Sequence, residues 1–136
     1  MHPAYFQTRF RSSIAIGDLP ECFAILTAHA TTGESWSLEQ NTRANEALRT
    51  VLQERSALLG EISGHAPQGA HEEPGFAAAL SFDEACDLGR LFKQDAIYFV
   101  QGGTLFVSHC DGRRGMQPIA QFAARVDARA FAPNQP

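Results

Sequence analysis

Two helix-initiation signals constrain this chain most, because each follows an apolar run of strand length. Residues 22–28 (CFAILTA) precede Ser37, which has a glutamine three residues later, and residues 75–80 (GFAAAL) precede Ser81, which has a glutamate at the same spacing. A serine and a glutamine or glutamate so spaced form a capping box, in which each side chain binds the other residue's backbone amide. The sequence therefore predicts two strand–helix units whose helices begin after Ser37 and Ser81.

The other apolar segments predict the fold class. They have the length and composition of strands, and one pair flanks a two-glycine hairpin turn. The additional strands are expected at residues 5–16, 58–62, 95–101 and 104–110. Residues 22–101 then have the order β-α-β-β-α-β. We predict an α+β fold, a two-layer α/β sandwich with a ferredoxin-like βαββαβ core, an extra N-terminal strand and a C-terminal hairpin. Residues 116–126 are expected to form either a short helix or an edge segment, and the spacing of their apolar residues favours the helix.

Length, composition and charge predict one domain with no nucleic-acid partner. The 136 residues are 44% apolar and 19% charged, which suits a single packed core. We expect one domain over residues 1–136, with an ordered core at about 4–126 and a frayed tail at 127–136. The net charge of −4 gives no general attraction for phosphate backbones. The exceptions would be local arginine patches, which we expect to be solvated: Arg9, Arg11, Arg113 and Arg114.

Cysteine usage and apolar runs bear on compartment, cofactors and partners. The three cysteines are widely spaced and include no C-x-x-C pair, so neither a disulfide framework nor a zinc site is expected, and no cofactor is implied. The start of the chain lacks the basic and apolar regions of a signal peptide, and no apolar run reaches membrane-spanning length. The sequence therefore predicts a cytoplasmic protein without a membrane partner. It leaves a homodimer open.

Two asparagines on the apolar side of the first predicted helix indicate a polar corner. Asn41 and Asn45 each stand seven residues before a leucine of the apolar stripe, so each amide lies within about 20° of a core leucine. Both side chains should point toward the sheet near the helix start, beside the strand end that carries Thr27 and His29. A helix N-terminus favours anions and polar ligands. Alternatively, the two amides hydrogen-bond the backbone of the neighbouring turn and hold it in place.

Ionisable side chains near this corner are the candidates for catalysis. Residues 63–74 (SGHAPQGAHEEP) read as a long loop, which is often functional. The loop contains four such side chains: His65, His71, Glu72 and Glu73. No metal-ligand spacing is present, so no metal site is expected. Glu73 is adjacent to the buried strand, and His29 can exchange a proton near neutral pH, so either is a candidate general base.

Several short motifs occur in an order that resembles a known family. The motifs are Ala4-Tyr5, Thr8-Arg9-Phe10, Leu26-Thr27-Ala28, the set Ser37, Asn41, Asn45 and Leu48, then Gly60-Glu61, Glu73-Pro74-Gly75-Phe76 and Leu91-Phe92-Lys93-Gln94-Asp95-Ala96. Over about residues 4–110 the chain resembles the bacterial proteins grouped as domain of unknown function 3293. His29-Ala30-Thr31 stands where that family tends to have Trp-Asn-Pro, and Asp95 where it tends to have Asn.

The resemblance implies no activity, but it adds two polar positions to the corner. Gln94 and Asp95 lie at a helix-to-strand junction, where they either cap helix carbonyls or join the site. The predicted ligand-binding residues are Thr27, His29, Asn41, Asn45, Glu73, Gln94 and Asp95. We expect them to bind a small polar or anionic ligand. The alternatives are a small hydrolase or transferase with His29 or Glu73 as base, and a protein-interaction module.

Overall fold

A computed structural model describes residues 1–31, 34–68 and 72–127 of the chain. The described part contains seven strands, two α-helices and three short 3₁₀ helices. The strands are β1 (Arg9–Ser12), β2 (Cys22–Leu26), β3 (Leu58–His65), β4 (Glu72–Ala78), β5 (Ala96–Gln101), β6 (Thr104–His109) and β7 (Gln117–Gln121). The α-helices are α1 (Leu38–Glu54) and α2 (Phe82–Leu91), and the 3₁₀ helices are Pro3–Phe6, Ile16–Asp18 and Phe122–Arg125.

Both helices begin at the predicted capping boxes. The Ser37 hydroxyl accepts a hydrogen bond from the Gln40 amide at 3.0 Å, and the Gln40 side chain accepts from the Ser37 amide at 2.8 Å. Ser81 and Glu84 make the same reciprocal pair, at 3.1 and 2.9 Å. These bonds satisfy amides that have no partner within the helix. Among the described residues, no helix is both long and apolar enough to cross a membrane.

The seven strands form one antiparallel sheet in the order β1-β3-β4-β2-β5-β6-β7. The sheet curls, so that the chain after β7 returns to the opposite edge. There Val126 forms a parallel bridge to Phe10, and the Asp127 amide donates to the Phe10 carbonyl at 2.9 Å. The fold is therefore a curled half-barrel.

The half-barrel has a separate apolar core on each face of its sheet. On the convex face, α1 and α2 pack Leu48, Leu52 and Leu88 against the strands. On the concave face, side chains from the strands and the last 3₁₀ helix fill the interior with an aromatic cluster. Phe122 packs against Phe23, with ring centroids 5.6 Å apart, and against a second phenylalanine from β1. The central strands β2, β4 and β5 therefore bury both of their faces over part of their length.

The predicted two-layer ferredoxin-like sandwich is wrong. The strand and helix order over residues 22–101 is as expected, but β1, β6 and β7 extend the sheet on both sides and curl it around a second core. A continuous apolar run occurs in a strand that has helices on both faces of a flat sheet. It also occurs in a strand that has helices on one face and a barrel interior on the other, so the apolar run alone does not distinguish these two folds.

Two local predictions are also corrected. The C-terminal hairpin is instead a three-stranded meander of β5, β6 and β7, because residues 117–121, expected as a helix, pair with β6. Tertiary pairing overrides the helical spacing of the apolar residues there. The expected long loop at 63–74 is shorter, because β3 continues to His65 and β4 begins at Glu72. At the C-terminus Asp127 is ordered, and the rest of the predicted tail lies outside the described residues.

Candidate functional site

Asn41 and Asn45 hold the backbone that follows strand β2. The Asn41 side-chain oxygen accepts from the Ala30 amide at 2.8 Å, and the Asn45 oxygen accepts from the Ala28 amide at 2.8 Å. The Asn45 nitrogen also donates to the Pro74 carbonyl at 2.9 Å. Since Ala28 is fully buried, its amide needs this partner. Where β2 ends, the side chains of the two asparagines thus take the place of a neighbouring strand as hydrogen-bond partners of the backbone.

Residues at the start of β5 hold the same loop from its other side. The side-chain amide nitrogen of Gln94 donates to the His29 carbonyl at 2.7 Å, and the backbone amide of Asp95 donates to the Thr31 hydroxyl at 3.4 Å. Within the loop, the Thr27 hydroxyl accepts from the His29 amide at 3.2 Å and donates to a carbonyl of β4. Five of the seven predicted site residues therefore shape this loop by hydrogen bonds.

The loop forms one wall of a cavity on the concave side of the sheet, which we call the barrel cavity. Its volume is about 250 Å³. The floor consists of apolar interior side chains, among them Phe10, Ile25 and Ile62. The polar wall consists of Tyr5, Gln7, Thr8, Thr27, Thr31, His65, Glu73, Gln94 and Tyr98. The barrel cavity therefore combines an apolar floor with a set of polar groups near the ends of strands and the N-terminal 3₁₀ helix.

Tyr98 organises the polar wall. Its hydroxyl donates to the Tyr5 carbonyl at 2.7 Å and is 2.8 Å from the Thr8 hydroxyl, which fixes the N-terminal segment across the cavity. Its ring meets Phe10 edge to face, with centroids 5.2 Å apart. Burial raises the pKa of Tyr98, and the negative charge of Glu73 raises it further. The phenol is therefore neutral at physiological pH and acts as a structural donor.

A second depression, the outer groove, lies on the opposite face of the sheet beside α1. It has a volume of about 440 Å³ and is lined by His29 and Asn45 among others. Arg49 lies across it, with its guanidinium carbon 4.9 Å from the centroid of the Phe76 ring and a nitrogen 2.6 Å from the Glu61 carboxylate. The arginines of this groove are paired with its glutamates.

The sheet separates the two candidate bases, His29 and Glu73. Successive side chains of a strand point to opposite faces. Along β4, Ala77 belongs to the concave core and Phe76 to the convex core, so Glu73 shares the concave face with Ala77. His29 lines the outer groove instead. The structure brings Thr27, Glu73 and Gln94 together around the barrel cavity, whereas Asn41 and Asp95 line neither depression.

The other ionisable residues of the predicted loop belong to ion pairs at the sheet edge. The His65 ring is 3.0 Å from the Asp127 carboxylate through Nε2 and 2.8 Å from a backbone carbonyl through Nδ1. Glu72 binds Arg11 at 2.6 Å and also the Ser63 hydroxyl. His71 lies outside the described residues. In residues 1–31, 34–68 and 72–127, no cluster of His, Cys, Asp or Glu is arranged to hold a metal ion.

The arginine patch considered for nucleic acid is neutralised by carboxylates. Arg113 binds Asp111 at 2.9 Å, and hydrogen bonds from its side chain and backbone lower the pKa of Asp111. Arg114 lies between Asp83 and Asp87 of α2, at 3.2 and 3.0 Å. Arg114 also donates to a backbone carbonyl at the end of β6, which fastens the turn after that strand to the helix.

Sequence reasoning missed the residues that line the cavity from the N-terminal segment and from β5. Tyr5 and Thr8 follow no recognised motif, and they reach the cavity only because the sheet curls. A signal for Tyr98 was present, since a phenol in the middle of an apolar strand needs a hydrogen-bond partner. That partner lies more than 90 residues away along the chain and cannot be read from the strand itself.

Comparisons with known proteins place the chain in one family. No curated protein and no solved structure matches it. A family model described as a protein of unknown function (DUF3293) matches residues 26–97, which is more than half of the chain and includes the loop after β2, both helices and Gln94. This match confirms the resemblance seen in the sequence, and the chain belongs to the DUF3293 family.

Proposed function

We propose that the protein binds a small organic molecule in the barrel cavity. The observation that carries the proposal is the cavity itself, which joins an apolar floor to a wall of hydroxyl, amide and carboxylate groups. Its volume of about 250 Å³ lies near the small end of the range for ligand pockets, about 300–1,000 Å³, which suits a small molecule.

The rigidity of the loop after β2 supports this proposal. Asn41, Asn45 and Gln94 fix its backbone through hydrogen bonds of 2.7 to 2.8 Å. Little conformational entropy is then lost when a ligand binds against this wall, because the wall is ordered beforehand. The predicted polar corner thus contributes to binding mainly by shaping the cavity, which is lined by Thr27, Glu73 and Gln94.

We favour binding over catalysis for this site. General base catalysis needs a base within hydrogen-bond reach of a reacting group. His29 and Glu73 line depressions on opposite faces of the sheet, so they do not act on one substrate together. The hydroxyls of Thr8 and Thr27 donate to backbone carbonyls, so their hydrogens are already bound within the protein.

The proposal also includes a bacterial cytoplasmic setting and no nucleic-acid partner. All three cysteines are thiols, which fits a reducing compartment. The arginines nearest to forming a basic patch, Arg113 and Arg114, are paired with aspartates, so few positive charges are available for phosphates.

The test is a fragment screen by amide chemical shifts, with a variant that fills the cavity. Ala96 lines the cavity and is buried, so Ala96→Leu should reduce its volume, whereas Ala79→Leu changes an exposed alanine elsewhere. We expect small amphipathic fragments to shift amides around the cavity in the natural protein and in Ala79→Leu, and to lose binding in Ala96→Leu. Fragments that shift only amides of the outer groove, or a screen without any binding fragment, would contradict the proposal.

A further inference from the structure

One wall of the barrel cavity belongs to residues 1–8, which precede β1 and lie outside the sheet; we call them the N-terminal segment. The segment contributes four residues to the lining: Ala4, Tyr5, Gln7 and Thr8. None of its eight residues is buried. Its 3₁₀ helix, Pro3–Phe6, is too short to be stable apart from the fold. This wall of the cavity therefore exists only while the segment is docked on the sheet.

Side chains from two distant parts of the chain hold the N-terminal segment in place. The Tyr98 hydroxyl donates to the Tyr5 carbonyl at 2.7 Å and is 2.8 Å from the Thr8 hydroxyl. From the last 3₁₀ helix, Nη1 of Arg125 donates to the Phe6 and Thr8 carbonyls at 3.1 and 3.2 Å. Hydrogen bonds from a guanidinium are charge-assisted and stronger than bonds between neutral groups. Arg125 therefore supports docking of the segment, although it does not line the cavity.

The N-terminal segment faces the loop after β2 across the cavity, and the two differ in how firmly they are held. The Tyr5 hydroxyl is 3.3 Å from the Thr31 hydroxyl of that loop. The loop is fixed by Asn45, whose oxygen accepts from the amide of the fully buried Ala28. A segment without buried residues opens at a lower free energy than the core does. The barrel cavity therefore lies between a fixed wall and a wall that can open locally.

We infer that the N-terminal segment is a movable wall whose docking is coupled to ligand binding, and that Arg125 is a positioning residue for the site. The inference rests on the proposed function. A ligand that contacts Tyr5, Gln7 or Thr8 binds the docked form more tightly than the undocked form, so it shifts the segment toward docking. The apparent affinity in turn falls in proportion to the docked fraction. Ligand binding thus orders the segment, and a change that loosens the segment weakens binding.

Amide hydrogen exchange tests this coupling, with benzyl alcohol as the probe because it has an apolar ring for the floor and a hydroxyl for the polar wall. The reporters are the amides of Tyr5 and Gln7, which donate to carbonyls within the segment, each at 3.1 Å. At about ten times its dissociation constant, the probe should slow their exchange about tenfold. The matched control is the 3₁₀ helix Ile16–Asp18, which has no buried residue and lies outside the cavity lining. Exchange of its Asp18 amide should not change.

Substitution of Arg125 tests its positioning role. Arg125→Ala should speed exchange of the reporter amides about tenfold in the free protein, because the segment loses its charged donor. Arg125→Lys keeps a cationic donor and should restore part of the protection. Isotope labels on the tyrosine rings report the docked fraction, since both tyrosines of the chain, Tyr5 and Tyr98, lie at this contact. The affinity for benzyl alcohol should fall by the same factor as the docked fraction, whereas Arg113→Ala should change neither, because Arg113 pairs with Asp111.

The outcomes separate this inference from the proposed function. If benzyl alcohol shifts amides around the cavity but leaves exchange of Tyr5 and Gln7 unchanged, the coupling is overturned and the cavity remains a ligand site. If Arg125→Ala loses affinity while its tyrosine signals stay docked, Arg125 is not a positioning residue. The exchange experiment uses the natural protein, so it decides the coupling even if Arg125→Ala fails to fold. Absence of binding by benzyl alcohol and by the fragment screen would overturn both proposals.

Discussion

Replacement of Asn45 by alanine should destabilise the fold much more than replacement of Asn41. In Asn45→Ala the Ala28 amide, in a fully buried residue, is left without a partner, which costs about 1–3 kcal/mol. The Pro74 carbonyl retains a hydrogen bond from the Thr27 hydroxyl, so it adds little. Alanine regains about 0.5 kcal/mol through its higher helix propensity. The net loss in the free energy of unfolding is therefore about 1.5 kcal/mol.

Asn41 makes one bond, to an amide in a half-buried residue that water can reach. Asn41→Ala should lose about 1 kcal/mol from that bond and regain about 0.5 kcal/mol in helix propensity, for a net loss of about 0.5 kcal/mol. Gln53→Ala, at an exposed position of the same helix, is the control and should stay within about 0.5 kcal/mol.

Urea unfolding followed by circular dichroism measures these differences, and amide hydrogen exchange locates them. We expect faster exchange of the Ala28 amide in Asn45→Ala, together with a melting temperature lower by roughly 4–6 °C. The reasoning is refuted if Asn45→Ala costs no more than Asn41→Ala, or if exchange of the Ala28 amide is unchanged. Such a result would mean that the asparagines are not what holds the loop.

Two further predictions concern strand packing and acid stability. Gly75→Ala should lower the free energy of unfolding in urea by about 1–3 kcal/mol, because the added Cβ would lie 2.5 Å from a carbonyl oxygen of β2. Gly112→Ala is the control and should cost little, because the space around Gly112 is open. Equal losses in the two variants would contradict this prediction. Burial raises the pKa of Asp127, but hydrogen bonds from Arg9 and His65 outweigh the effect of burial and lower this pKa. The ion pair therefore stabilises the fold above the ordinary aspartate pKa, and this stabilisation is lost as the pH falls through the lower pKa of the folded protein. Asp127→Asn should therefore lose less stability than the natural protein between about pH 6 and pH 3, and parallel stability curves would argue against the assignment.

Local signals in the sequence predicted the helices and the loop-holding asparagines, but not the curl of the sheet. Ser37 and Ser81 begin helices through partners three residues away, and Asn45 could be oriented by helix period alone. The curl depends on the pairing of Phe10 with Val126, which no local pattern encodes. A similar distance in sequence hid the barrel cavity, whose wall combines the N-terminal segment with residues as far along the chain as Tyr98.

Closure of the half-barrel has a consequence for how the protein folds. The bond from Arg9 to Asp127 joins residues 118 positions apart, so it closes almost the longest loop that the chain allows. Contacts of such separation form late, because the entropy of loop closure opposes them until the rest of the chain is ordered. Until then the apolar concave face and the open edge of β1 face solvent, where they can pair with other chains. We therefore expect the ion pairs of Asp127 to form in the last step of folding and, by closing the half-barrel, to protect the protein from aggregation.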